Sequence, residues 1–241
     1  MIKFVLAVLS IWLNCSSCNN ANSSTGDAQT YPSVSLDDPA FMIRQGESML
    51  QEGDIVLRMN NDPFSTLIRN FSKTDKRYSH TGIVLFDNGK PFIYHILTGD
   101  ENPDGKIRKD AMEVFCDPRN NSEAGIFRFA FHPEELDSVR TIIHRWAASP
   151  VLFDMNFDSD TDDRMYCTEM ISKLLLHATS GRIRVKSTVL SGSEMKLFAT
   201  YLHLPYDPDK KVSVFAVDDI YKRPDCKRVI QFNYYHEPVP E

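Results

Sequence analysis

The sequence has 241 residues, 42% of them hydrophobic, which is enough for one domain of about 200 residues with a full core. The 27 lysine and arginine residues against 33 aspartate and glutamate residues give a formal net charge of −6. There is no basic run and no basic patch interleaved with aromatic residues, so nucleic-acid binding is not expected. The sequence also contains no internal repeat and no glycine-rich phosphate loop, and we expect no cofactor.

The amino terminus has the pattern of an export signal. An apolar run, Phe4–Leu13, follows a single lysine and suits a signal-peptide core better than a membrane-spanning helix. The next residues, Cys15-Ser-Ser-Cys18, resemble the lipobox of bacterial lipoproteins, and the small residue before Cys18 favours that cysteine over Cys15 as the lipid anchor. The alternative is an ordinary secretory signal. We therefore expect a signal peptide over residues 1–18, a flexible tether over residues 19–37 and an exported, membrane-anchored lipoprotein of the bacterial cell envelope.

Residues 38–241 alternate between helical and strand patterns, which favours an α+β fold in which helices pack on a sheet. Helices are predicted at Asp38–Gln51, Pro63–Phe71, Pro133–Ala148 and from Cys167 onwards, with a short one at Lys109–Phe115 inside a long polar loop, Asp100–Asn121, and a helical turn at Asp218–Lys222. Strands are predicted at Ile55–Arg58, Ile126–Phe131, Val212–Val217 and Val229–Phe232, in addition to a hairpin.

The hairpin is predicted over Tyr78–Thr98, because two β-branched and aromatic runs flank Asn88-Gly89, a favoured two-residue turn. This turn sets a register in which His95 lies opposite Gly82, and His80 lies two residues further along on the same face. Diagonal neighbours of this kind are about 7–8 Å apart at the backbone, which is close enough for two imidazoles to meet. Gly82 would leave room for the ring of His95.

Two other interpretations of these histidines remain open. Either one can be an ordinary half-buried, hydrogen-bonded side chain. A zinc site built from His80, His95 and Cys167 is chemically feasible, because three nitrogen and sulfur ligands with a water molecule is a catalytic pattern. The three residues lack the tight ligand spacing of most zinc motifs, so no metal site is assigned.

Cys167 lies at the start of the helix predicted within Phe153–Gly181. Asp162 or Asp163 can cap the helix, and Gly181 can end it. The apolar residues on one face are Met170, Ile171, Leu174, Leu175 and Ala178. A thiol in the first turn lies near the positive end of the helix dipole, which favours the thiolate and predicts a nucleophile. The alternative is that Cys167 is a small buried core residue.

Three cysteines follow the leader, namely Cys116, Cys167 and Cys226. An exported chain meets oxidising conditions, and an odd number leaves at least one thiol free or paired outside the chain. A Cys116–Cys226 disulfide with Cys167 free is compatible with the nucleophile hypothesis.

Three segments, in this order, resemble the circularly permuted branch of the NlpC-type papain-like hydrolases, the YiiX-like group of cysteine amidases and peptidases. They are Gly53–Arg58 (GDIVLR), Tyr78–Val84 (YSHTGIV) and Asp162–Met170 (DDRMYCTEM), and Phe215–Tyr221 (FAVDDIY) is similar to the closing segment of that group. The resemblance runs from about residue 50 to about residue 225. It implies a permuted papain-like domain, with an antiparallel sheet or barrel packed against helices and the catalytic cysteine at a helix amino terminus.

The same resemblance implies roles for individual residues. Cys167 matches the nucleophile and His80 the general base, and His95 occupies the third, orienting position, where the group often has glutamate. Glu169 and Tyr166 are candidate supporting residues in the cysteine motif, although Glu169 fits a purely structural carboxylate equally well. The implied activity is cleavage of an amide bond in a cell-wall peptide of the γ-glutamyl–diamino acid class, through a thioester acyl-enzyme. The alternatives are a lipid-directed amidase or acyltransferase similar to the lecithin retinol acyltransferase group, and a non-catalytic surface binding module.

Overall fold

The structure is a computed structural model that describes residues 38–100, 102–157, 159–202, 205–209 and 211–234. The predicted signal peptide, residues 1–18, and the predicted tether, residues 19–37, lie outside the described residues, as do Cys15 and Cys18. Among the described residues, no helix is long and apolar enough to cross a lipid bilayer.

The centre of the described chain is a six-stranded antiparallel sheet. The strands along the chain are β1 (Ile55–Asn60), β2 (His80–Asp87), β3 (Lys90–Ile96), β4 (Ile107–Asp110), β5 (Asn121–Phe129), β6 (Leu152–Phe153), β7 (Arg164–Met165), β8 (Thr188–Val189), β9 (Ser213–Val214) and β10 (Cys226–Asn233). The large sheet has the order β10-β5-β1-β2-β3-β4, and the other strands form the pairs β6-β7 and β8-β9. The predicted α+β class with an antiparallel sheet is confirmed.

Helices cover both faces of the large sheet. They are α1 (Pro39–Met49), α2 (Pro63–Arg69), α3 (Met112–Phe115), α4 (Pro133–Ala147), α5 (Cys167–Ala178), α6 (Gly192–Tyr201) and α7 (Asp218–Tyr221). In β1, Ile55 and Leu57 pack in the same core as α4 and α5, whereas Val56 packs in the core that contains residues of α1 and α3. A sheet buried on both faces explains why its central strands are apolar at consecutive positions.

The hairpin has the predicted turn and register. Asn88 and Gly89 have φ values of 51° and 78°, as a two-residue turn of this hand requires, and Asp87 pairs with Lys90. A β carbon at Gly82 would lie only 2.5 Å from Cγ2 of Ile93 and 3.1 Å from Cβ of His95. Glycine is therefore needed where the two strands approach closely beside the histidine.

The predicted secondary structure was incomplete in one segment and lacked one helix. The segment predicted as a polar loop with a helix at Lys109–Phe115 contains strand β4 and the shorter helix α3. The strand was missed because its four residues, IRKD, are too few and too polar to show an alternating pattern. Helix α6 was not predicted at all, although Ser191 caps it and accepts a hydrogen bond from the backbone of Glu194.

The predicted capping residue of α5 was also wrong. Neither Asp162 nor Asp163 caps the helix; Asp162 instead accepts a hydrogen bond from Lys173 at 2.8 Å. Tyr166 occupies the N-cap position, and the carboxylate of Glu169 in the first turn accepts its backbone N–H at 3.2 Å. The helix ends at Ala178, before the predicted stop at Gly181, because Ser180 takes the left-handed conformation with φ of 49°. Gly181, with φ of 86°, follows it, and its N–H closes the turn by donating to the carbonyl of Leu176.

Cys116, Cys167 and Cys226 are all free, buried thiols. The hypothetical Cys116–Cys226 disulfide is not formed, because the two side chains lie in the separate cores on opposite faces of the sheet.

Candidate active site

Two buried imidazoles lie together at one end of the hairpin. Nε2 of His80 and Nδ1 of His95 are 3.0 Å apart, and the two rings are nearly perpendicular at 82°. His80 is the first residue of β2, and His95 lies on the neighbouring strand β3. The register therefore brings together the two histidines as the sequence predicted, and leaves Nδ1 of His80 as the ring nitrogen that does not face His95.

A carboxylate that the sequence did not reveal lies on the far side of His95. Asp110, the last residue of β4, has its Oδ2 3.0 Å from Nε2 of His95. Its other oxygen, Oδ1, accepts hydrogen bonds from Nε and Nη2 of Arg108 at 3.1 and 2.8 Å. The three side chains form a line that runs Asp110–His95–His80. The sequence does not reveal Asp110, because it falls in the segment Lys109–Phe115, which is predicted as a short helix inside a polar loop.

Phe115 forms one wall of this line. Its fully buried ring lies 5.6 Å from that of His80 and 4.9 Å from that of His95, measured between centroids. The buried guanidinium of Arg58 lies over the same ring at 4.6 Å and donates a hydrogen bond to the Phe115 carbonyl at 2.8 Å. Arg58 pairs with His80 in the β1–β2 register, so a permanent positive charge lies beside the imidazoles.

Cys167 is the first residue of α5, as the sequence predicted, and it is 7% exposed. Burial raises the pKa of its thiol to about 11, although the backbone N–H groups of Thr81, Thr168 and Cys167 and the charge of Arg58 act to lower it. The hydrogen bond from Thr81, the residue after His80, places the sulfur beside the start of β2. Cys167 and His80 line the same cavity.

The pKa values of the two histidines are lowered by burial. Desolvation, followed by the charges of Arg58 and His95, holds the pKa of His80 well below its usual value. Desolvation also lowers the pKa of His95 to about 4, although its hydrogen bond to Asp110 opposes this. At neutral pH the thiol of Cys167 is therefore protonated and both imidazoles are neutral. Neither the thiol nor the imidazoles carry a charge at rest, so the site holds no preformed thiolate–imidazolium pair.

The two candidate supporting residues hold the start of α5 in place. Glu169 is fully buried; besides the N–H of Tyr166, its carboxylate contacts Nζ of Lys173 at 3.0 Å. The hydroxyl of Tyr166 accepts the backbone N–H of Phe215 at 2.8 Å, and its ring stacks on Phe157. These contacts are structural, and they tie the segment around Cys167 to the chain that precedes α7.

A cavity of about 400 Å³ leads to Cys167 and His80. Arg58 and Ser79 contribute polar groups next to the histidine, but most of the wall is aliphatic or aromatic. The apolar wall includes Phe64, Ile68, Phe71, Phe153, Phe157 and Leu202. Such a cavity suits an apolar group attached to a reactive carbonyl.

Within the described ranges, no three His, Cys, Asp or Glu side chains converge so that they could hold a metal ion. The zinc alternative fails on donor geometry, because the nitrogens of His95 face His80 and Asp110 at hydrogen-bonding distance. A metal ion between the histidines would have to break the contact that joins them.

No protein-family model matches the chain. Over 135 residues the chain is 24% identical to the uncharacterized protein YiiX of Escherichia coli strain K12. This alignment covers 55% of the chain and 61% of YiiX, so the chain spans less than two thirds of that relative.

The fold is also similar to that of a solved structure. The crystal structure of YiiX from Escherichia coli O157:H7, described as a metalloprotein and as DUF1105, superposes with a TM-score of 0.57 at 17% identity. The match covers 76% of this chain and 97% of that one. The chain is therefore similar to YiiX in sequence and shares its fold.

Proposed function

We propose that this protein is a cysteine hydrolase that cleaves an amide or ester of an apolar acyl group, with Cys167 as nucleophile and His80 as general base. The observation that supports this most directly is the placement of Cys167 at a helix start, beside the strand that carries His80, at the end of an apolar cavity. The sequence resemblance to permuted papain-like amidases, in three ordered segments, supports the same reaction class. Membership of that papain-like family is part of the proposal.

The reaction begins with both groups neutral. As the sulfur of Cys167 forms a bond to the carbonyl carbon, its proton passes to Nδ1 of His80. His80 then gives this proton to the leaving nitrogen or oxygen, and the bond between that atom and the carbonyl carbon breaks. Water attacks the resulting thioester, with its proton passing through His80 to the sulfur, and releases a carboxylic acid.

Two features of the site stabilise the negative charge that develops during these steps. The backbone N–H of Cys167 is free of intrahelical bonding because it lies in the first turn of α5, and it would donate to the oxyanion of the tetrahedral intermediate. The guanidinium of Arg58, which lines the cavity, supplies a positive charge close to the sulfur. Both contributions are strong in a buried site, where water screens charges poorly.

The cavity favours an acyl chain over a cell-wall peptide as the substrate. A γ-glutamyl–diamino acid peptide carries several carboxylates and amides, which lose free energy when they are buried without polar partners. The wall of the cavity instead offers mostly aromatic and aliphatic surface, which binds a hydrocarbon chain at about 0.8 kcal/mol for each buried methylene. A lipid anchor at the amino terminus, with export to the cell envelope, would bring such a site to membrane-derived substrates.

YiiX of Escherichia coli O157:H7 is described as a metalloprotein, so a metal must be considered for this chain. The hydrogen-bonded histidine pair does not fit a metal site, and no described group of three ligands offers another. The proposed reaction therefore uses the side chains of Cys167 and His80 without a metal.

The proposal is tested by incubating the full chain with a series of acyl p-nitroanilides, from acetyl to palmitoyl, and with a γ-glutamyl–diamino acid peptide. We expect hydrolysis that becomes faster with chain length, no hydrolysis by the Cys167→Ala variant, and little action on the peptide. Faster cleavage of the peptide would replace the acyl substrate by the cell-wall substrate. No turnover of any substrate, with a thiol at Cys167 that does not react with iodoacetamide, would support a binding module instead.

A matched pair of variants isolates the role of the cavity. Phe64 lies in the wall and stacks on Tyr201, whereas Phe131 is also partly buried but does not line the cavity. Phe64→Ala should lower kcat/KM for the palmitoyl substrate about tenfold, because about 1.4 kcal/mol of apolar contact is lost. The acetyl substrate should be unaffected, and Phe131→Ala should not change the ratio between the two substrates. An equal loss for both substrates would contradict binding of the chain in this cavity.

A further inference from the structure

We propose that Asp110 is a positioning residue that sets the tautomers of two imidazoles in succession, so that Nδ1 of His80 is left without a proton. The activity part of this inference rests on the proposed function, in which Nδ1 of His80 accepts the proton of Cys167. The tautomers themselves are a property of the folded chain and can be measured without any substrate.

The order of donors follows from the carboxylate. An ionised carboxylate can only accept hydrogen bonds, so the Nε2 of His95 that faces Oδ2 of Asp110 at 3.0 Å must carry a proton. A neutral imidazole carries one proton, which leaves Nδ1 of His95 as an acceptor. The Nε2 of His80, 3.0 Å away, must then be the donor in that contact. His80 thus has its single proton on Nε2 and a lone pair on Nδ1.

The surroundings of Asp110, His95 and His80 keep the carboxylate ionised and the two imidazoles neutral. Burial alone would raise the pKa of Asp110, but the hydrogen bonds from His95 and Arg108 outweigh it and hold this pKa below its usual value. Burial first, and then the charge of Arg58 on β1, opposes a positive charge on either ring and keeps both imidazoles neutral. The carboxylate is therefore ionised at neutral pH and the two rings are not.

The surrounding side chains also hold the groups in this orientation. Two N–H groups of Arg108 bind Oδ1 of Asp110, so Oδ2 is the oxygen that faces His95. The ring of Phe115 packs against both imidazoles, and Gly82 permits the close approach of the two strands beside His95. A ring flip of either histidine would break a buried hydrogen bond.

These contacts make Asp110→Asn a sharp test. The amide oxygen of the new side chain should remain with the two donors of Arg108, which turns its NH₂ group towards His95. The amide would then donate to Nε2 of His95, and the proton of His95 would move to Nδ1. His95 would donate to Nε2 of His80, and the proton of His80 would move to Nδ1. The substitution should therefore invert both tautomers and block the base.

The measurement is ¹⁵N NMR of the full chain labelled in its histidines, because the shifts of the two ring nitrogens distinguish the tautomers. The chain has seven histidines, and the signals of His80 and His95 are assigned with the variants His80→Gln and His95→Gln. We expect Nε2–H tautomers for both residues in the wild type and Nδ1–H tautomers for both in Asp110→Asn. Asp87→Asn is the matched control, because Asp87 accepts hydrogen bonds from Tyr94 and Lys109 on the same sheet.

Activity is the second readout. The base with the wrong tautomer should lower kcat on the acyl p-nitroanilide by about 100-fold or more, whereas Asp87→Asn should keep kcat within about twofold. A wild-type spectrum with Nδ1–H on His80, or unchanged tautomers in Asp110→Asn, would overturn the inference. If Asp110→Asn does not fold, the wild-type spectrum decides alone. If the tautomers are as expected but no substrate is hydrolysed, the proposed function fails, and the inference that Asp110 sets the two tautomers stands.

Discussion

The hairpin side and the helix side of the candidate site each contain a carboxylate, half-buried in Asp110 and fully buried in Glu169, and the two have different partners. On the hairpin side, Asp110 bonds to the ring of His95 and to Arg108. On the helix side, Glu169 bonds to the backbone N–H of Tyr166 and contacts Lys173. Asp110 is linked through His95 to the proposed base His80, whereas Glu169 binds the helix start and Lys173.

The difference is visible in the ionisation of the two groups. Hydrogen bonds from His95 and Arg108 outweigh burial and hold the pKa of Asp110 low. Burial dominates at Glu169 and raises its pKa to about 7, in spite of Lys173 and the backbone of Tyr166. An ionised carboxylate can orient an imidazole, whereas a carboxyl group that is partly protonated at neutral pH can still accept a backbone N–H through its unprotonated oxygen. The bonding partners of each carboxylate therefore decide whether it can orient the proposed base.

The largest expected effect is a loss of activity, with little change in stability, when the proposed base or nucleophile is replaced. His80→Gln and Cys167→Ala should each lower kcat/KM on an acyl p-nitroanilide by at least about 1,000-fold, because the base or the nucleophile is lost. Each should change the free energy of unfolding by less than about 1.5 kcal/mol, as judged by urea denaturation. Cys226→Ala is the control, because Cys226 is also a buried free thiol but lies outside the cavity. Retention of activity in Cys167→Ala would end the proposed mechanism.

The next largest effect is on the pH dependence of the free energy of unfolding and comes from Glu169 on the helix side. The pKa of Glu169 rises from 4.5 in the unfolded chain to about 7 in the folded protein, which corresponds to about 3 kcal/mol. Between these values the folded state holds a proton that the unfolded state has released, so this contribution to stability is complete below pH 4.5 and is lost as the pH rises through about 7. Glu169→Gln should remove this loss, because a neutral amide does not titrate.

The measurement is urea denaturation of wild type and Glu169→Gln across this pH range. The difference in unfolding free energy should move in favour of the variant by up to about 3 kcal/mol as the pH rises. Glu113→Gln, an exposed substitution on α3, controls for the loss of one carboxylate at the surface. The kcat of Glu169→Gln, measured at a pH where both proteins are fully folded, should change little. A large loss of kcat without a change in the free energy of unfolding would show that Glu169 takes part in the reaction and does not only stabilise the start of α5.

The contrast between the two sides also explains what the sequence could predict. The pair His80 and His95 was predictable because Asn88-Gly89 fixes the turn, and the turn fixes the register. The position of Cys167 was predictable from helical periodicity. Asp110 was not, because a four-residue edge strand with one apolar residue gives no periodic signal. The cap at Glu169 was missed because Asp162 and Asp163 gave a competing signal, although a glutamate in the first turn is itself a capping pattern.

The cavity could not be predicted from any local pattern. Its wall joins side chains from segments that are far apart in sequence, such as Phe64 on α2, Phe153 on β6 and Leu202 after α6. Each of these segments reads only as an apolar element that needs a core. Their convergence around Cys167 depends on packing over long sequence separations, which a single sequence does not specify.

The smallest expected effect tests whether the helix side is only structural. In Tyr166→Phe, the backbone N–H of Phe215 loses the acceptor that lies 2.8 Å away, while the ring can still stack on Phe157. Phe215 is only half-buried, so the cost should be about 1 kcal/mol in urea denaturation. Because the hydroxyl of Tyr166 bonds to the backbone of Phe215, kcat should fall by less than about threefold and its pH profile should not move. A shift in that profile would show that the hydroxyl acts on Cys167, and the division between a chemical side and a structural side would then be wrong.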